Sequence, residues 1–167
     1  MAALMAVCTF ISIPAPIPFT LQTFAVFLAA GLLGTKGALA SIGVYVALGA
    51  AGLPVFSGFK GGLAVLIGPT GGYLVGFFAA VALWGLITRL WGKGLRTSII
   101  AALAGQLACY LFGTVWFVLL YNHRGTPIGF AAALSACVVP FILPDIIKII
   151  LASILAHRLR PALIKGA

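Results

Sequence analysis

The chain has 167 residues, of which 63% are apolar and only 7% charged, far below the roughly 25% charged residues of a soluble domain. This composition excludes a soluble globular domain and reads as one integral membrane domain over residues 1–167. The net charge of +9 comes from basic residues scattered singly between apolar runs, with no basic and aromatic surface, so it excludes nucleic acid as a partner and reads as membrane topology in a lipid bilayer.

Apolar runs punctuated by Gly, Pro and basic residues predict an all-α membrane protein of six transmembrane helices. The spans fall near Ala2 to Ile13, Phe19 to Leu33, Gly37 to Ala50, Gly71 to Leu90, Thr97 to Tyr121 and Ala131 to His157. The first three are short of the roughly 20 residues a vertical crossing needs, so they borrow flanking residues, begin upstream of Met1, or stand upright in a packed bundle. No basic region precedes the first apolar run, which argues against a cleaved signal peptide. Counted over six spans, Lys36, Arg89, Lys93, Arg96, Arg158, Arg160 and Lys165 fall on one side, against Lys60 and Arg124 on the other. The positive-inside rule then places both termini in the cytoplasm, an N-in/C-in arrangement.

The outer connections are irregular. Loop 1, Ile13-Pro-Ala-Pro-Ile-Pro-Phe-Thr-Leu-Gln-Thr23, carries Pro14, Pro16 and Pro18 at alternate positions, which forces an extended segment, and with Phe19 it suits a stiff apolar lid. Loop 3, Gly52 to Tyr73, is too apolar to float in water. Its Leu63 to Ile67 run is too short to span, so it re-enters or caps the bundle, and Gly61 and Gly62 permit close backbone approach to a ligand. Small residues recur on several spans: Ala2 and Ala6, Gly72 and Gly76, and Ala101, Ala104, Gly105 and Ala108. Such faces let helices approach closely; most serve internal packing, and one is left open for another subunit, a homo-oligomer included.

The single acidic residue, Asp145, falls in the last span with Lys148 three residues on, along one helical face. A charge at the centre of a membrane helix costs roughly 2.5 to 3.5 kcal/mol, so the pair calls for a reason. It is either a structural ion pair or the polar part of a ligand pocket. Pro140 and Pro144, read as breaking the helix there, favour the pocket.

Catalysis is hard to build from this inventory. One carboxylate cannot hold a divalent metal, no nucleotide-binding loop is present, Ser57 lies in a loop, and His123 and His157 sit at opposite span ends. Cys8, Cys109 and Cys137 have no metal-ligand spacing and read as small buried fillers. The chain is expected to be no enzyme and to carry neither metal nor cofactor.

Pro18-Phe-Thr-Leu-Gln-Thr23, Gly52-Leu-Pro-Val-Phe56, Gly68-Pro-Thr-Gly-Gly-Tyr73 and Pro140-x-x-x-Pro-Asp-x-x-Lys148 together resemble the BioY family, the biotin-specific S components of energy-coupling factor (ECF) transporters. The resemblance implies a six-helix fold in the cytoplasmic membrane of a prokaryote. It also implies high-affinity capture of biotin from outside and transfer to a transmembrane T subunit driven by two ATPase subunits. It assigns Asp145 to the ureido N–H groups and Lys148 to the ligand's polar groups, chiefly its carboxylate. Gln106, Tyr73, Phe56, Gly61 and Gly62 are further candidate contacts, Pro14, Pro16, Pro18 and Phe19 form the lid, and Ala2 and Ala6 the face offered to the T subunit. An asparagine contact to the ureido ring would have to come from Asn122, near a span end, so Gln106 or loop amides are the substitutes. A binding subunit for another small vitamin and a solitary facilitator are the alternatives.

Overall fold

The computed structural model describes residues 1–13 and 17–165. Among them are seven helices: α1 (Ala2–Phe10), α2 (Gln22–Ala50), α3 (Leu63–Leu66), α4 (Gly71–Trp91), α5 (Leu95–His123), α6 (Phe130–Cys137) and α7 (Val139–Lys165). A two-stranded antiparallel ribbon, β1 (Ser12–Ile13) with β2 (Phe19–Thr20), pairs Ser12 with Thr20 and Ile13 with Phe19.

Six transmembrane helices are not what the chain forms. Among the described residues, only α2, α4, α5 and α7 have the length and apolar composition to cross a membrane, with α2 counted end to end across its bend at Gly34. The first expected span is the nine-residue α1, about 13 Å long at 1.5 Å per residue. The second and third are joined in α2, which leaves helical geometry at Gly34 (φ 71°, ψ 179°), a conformation that suits glycine. Gln22 and Tyr45, near its two ends, line the same cavity, although a straight helix would set them about 35 Å apart. The chain therefore folds back at Gly34. The N-in/C-in assignment rested on six alternating crossings and no longer follows from the number of spans.

The last expected span is also divided. Val138 (φ −129°, ψ −54°) separates α6 from α7, while α7 continues through Pro144. The break therefore precedes the Pro-Asp segment, and Asp145 stands on an intact helix.

Small residues set the close helix crossings, since helices in lipid are held by packing and polar contacts rather than by hydrophobic exclusion. The most extensive pairing is α4 with α5. There a Cβ on Gly105 would lie 2.6 Å from the carbonyl oxygen of Ala80, and one on Gly76 would lie 3.0 Å from the Cα of Cys109. Between α2 and α7, Gly31 faces Ala156, where a Cβ would meet the alanine methyl at 2.4 Å. Outward faces are apolar and open, as at Leu107 and Leu143, 67% and 70% exposed, which suits contact with lipid chains.

Candidate ligand-binding site

Asp145 and Lys148, each 5% exposed, form an ion pair at 2.5 Å on one face of α7. The carboxylate is fully engaged. Oδ1 also accepts from the Thr23 hydroxyl at the start of α2 (3.2 Å), while Oδ2 accepts from Gln106 Nε2 (2.9 Å) and the Tyr110 hydroxyl (2.5 Å), both on α5. Lys148 Nζ donates to the backbone carbonyl of Thr20 (2.7 Å) and lies 4.1 Å from the centre of the Phe19 ring. Phe19 in turn stacks on Phe141 with ring centres 5.9 Å apart. Three helices and the β2 strand thus converge on one buried pair, and each charge is offset by several dipoles at once.

This cluster borders a cavity of about 420 Å³, within the roughly 300 to 1,000 Å³ of small-molecule sites. Its walls are largely aromatic and aliphatic, including Tyr45, Phe56, Tyr73, Phe77 and Phe141. The single turn α3 contributes Ala64 and Val65, so loop 3 does cap the bundle; the indole of Trp116 ties that loop down by donating to the carbonyl of Gly68 at 2.9 Å.

Two polar atoms at the cavity lack partners among the described residues: Gln22 Nε2, a donor, and Gln106 Oε1, an acceptor. The Gln106 orientation follows from chemistry. A carboxylate can only accept, so the amide nitrogen must face Asp145, which leaves the amide oxygen free. A buried polar atom without a partner costs about 1 to 3 kcal/mol, and a ligand with matching groups would recover it.

Of the residues expected at the site, Asp145, Lys148, Gln106, Tyr73, Phe56, Pro18 and Phe19 line the cavity. Gly61 and Gly62 are not in its lining; Gly62 donates its amide to the carbonyl of Gly49 (2.7 Å) and holds the loop against α2. Pro14 and Pro16 lie outside the described residues. Ala2 and Ala6 are half-buried against the core, whereas Val7 on the opposite face of α1 is open. Asn122 is exposed and its Oδ1 accepts from the Ile128 amide at 3.2 Å, away from the cavity. Sequence reasoning missed Gln22, Thr23, Tyr110 and Lys60, although Gln22 and Thr23 lie within the quoted Pro18 to Thr23 motif.

Comparison with known proteins decides the family, for the sequence matches the BioY family over residues 1–165. The chain belongs to the BioY family. The biotin transporter BioY of Thermotoga maritima is 42% identical, over 95% of this chain and 90% of that protein. A probable biotin transporter BioY of Pyrococcus horikoshii is 43% identical, over 87% of this chain and 82% of its own. Among solved structures, the S-component for biotin from an ECF-type ABC transporter superposes with a TM-score of 0.84 at 30% identity, covering 96% of this chain and 86% of that one. Membership in the BioY family makes the chain a multi-pass transport protein rather than an enzyme, with no cofactor indicated.

Proposed function

We propose that this BioY-family chain captures biotin in the large cavity, as the substrate-binding subunit for uptake across the cytoplasmic membrane of a prokaryote. The observation that carries the reading is the free amide donor of Gln22 and the free amide acceptor of Gln106, set in a cavity whose walls are largely aromatic and aliphatic. The ureido ring of biotin offers N–H donors and a carbonyl acceptor, and its thioether ring and valeryl chain suit the aromatic walls. Biotin-transporter relatives and the biotin S-component neighbour support the same substrate.

The roles divide by depth. Asp145 orients Gln106 and, with Lys148, forms the polar floor. A ligand carboxylate placed there would meet Asp145, so it belongs at the mouth, where the exposed Lys60 borders the cavity. Arg89, Lys93 and Arg96 lie around the turn from α4 to α5, and Arg158 and Arg160 toward the end of α7; by the positive-inside rule that end faces the cytoplasm, so the cavity opens outward. With no nucleotide motif of its own, the chain would pass biotin on through an ECF T subunit and two ATPases.

Equilibrium binding of labelled biotin to the purified chain without ATP tests the assignment. Sub-micromolar binding is expected, unaffected by other vitamins, and Lys60→Gln should weaken biotin while leaving a biotin amide nearly unchanged. A folded preparation that fails to bind below micromolar biotin would overturn it.

A further inference from the structure

Arg160 stands fifteen residues beyond Asp145 on α7, about 22 Å along the helix axis, and there a second, smaller cavity opens where α2, α4, α5 and α7 meet. Trp84, Ser98 and Ser153 contribute to its lining, together with Lys93, His157 and Arg160. Ser153 is buried, and neither serine hydroxyl forms a hydrogen bond among the described residues. The two hydroxyls and three basic side chains make a donor-rich site.

Charge balance sharpens its meaning. The chain has one acidic side chain, Asp145, and that carboxylate is bound by Lys148 beside the other cavity. Lys93 and Arg160 therefore take no counter-charge from an acidic side chain of this chain. The space of about 20 Å³ admits roughly one water-sized atom. A single oxygen of a larger oxyanion fits inside, and its other oxygens would remain at the rim with the cations. Leu90 and Trp91, in the last turn of α4, and Leu159 of α7 are exposed apolar side chains near these basic residues, as acyl chains at a membrane interface would require.

We propose that this cavity is a phosphate site that seats the headgroup of an anionic phospholipid. It is independent of the biotin cavity. Native mass spectrometry of the full chain, released from nanodiscs of phosphatidylglycerol or of phosphatidylcholine, would measure retained lipid, with thermal unfolding in millimolar inorganic phosphate as a parallel arm. Phosphatidylglycerol should be retained preferentially, since choline brings a like charge to Lys93 and Arg160. Lys93→Gln with Arg160→Gln should weaken that retention roughly 10- to 30-fold, while Arg89→Gln with Arg96→Gln, which removes equal charge outside the cavity, should leave it intact. Unchanged biotin binding would show that both variants are folded. If inorganic phosphate stabilises the chain as well as the lipid does, and the first variant abolishes both effects, the phosphate chemistry stands with free phosphate as its source. Equal retention of the two lipids without phosphate stabilisation, or equal loss in both variants, would overturn the site and leave acidic side chains of a protein partner as the counter-charges.

Discussion

At the scale of single residues, Asp145 accepts from side chains on α2, α5 and α7, so removing its charge disturbs more than one bond. Asp145→Asn keeps the shape but strands Lys148 and leaves one acceptor for the donors of Gln106 and Tyr110. Breaking a buried ion pair from one side costs about 3 to 5 kcal/mol, whereas replacing both partners costs less. Asp145→Asn and Lys148→Met should each lower the unfolding midpoint in detergent more than the double variant does. A double variant as unstable as the sum of the singles would show that the two residues are not coupled. Lys148 and Asp145 were legible in the sequence because a charged pair in an apolar run stands out. Thr23, Gln106 and Tyr110 reach Asp145 from positions 35 to 122 residues away, and no local pattern reports such a meeting.

The elements are held at glycine crossings, which differ in what a side chain would meet. At Gly105 a methyl would press on the backbone of Ala80, and backbone cannot move aside; at Gly43, in the second arm of α2, nothing lies within 4 Å. Gly105→Ala should therefore destabilise by about 1 to 3 kcal/mol as overpacking, while Gly43→Ala should stabilise by up to about 1 kcal/mol through helix propensity. Thermal unfolding of the two variants checks the contrast, and a shift of the same sign in both would refute the packing argument. The lid belongs to this scale as well. Phe19 is fixed by its stack on Phe141 and by Lys148, so Phe19→Ala should speed dissociation of bound biotin; an unchanged off-rate would remove loop 1 from any gating role.

For the molecule as a whole, the direction of the cavity is open to a labelling experiment, because all three native cysteines are buried and should be silent. Ser57→Cys, in the cavity lining, should react with a membrane-impermeant maleimide added outside intact cells and be protected by biotin. Ser98→Cys, at the second cavity, should not react from outside. The reverse pattern would turn the cavity toward the cytoplasm.

By itself the sequence determined the membrane class, the buried charged pair and the family resemblance, because hydropathy, charge and contiguous motifs are local quantities. The course of the chain was decided only in three dimensions. Gly34 folds α2 back, Val138 rather than Pro144 ends a helix, and two runs that each looked like a span became one bent element. A glycine in an apolar run is equally compatible with a packed helix and with a reversal, and what its neighbours leave room for settles which occurs. The free amides of Gln22 and Gln106 are of the same kind: an unmatched donor or acceptor exists only once every neighbour has been placed, and those neighbours come from helices far apart in the chain.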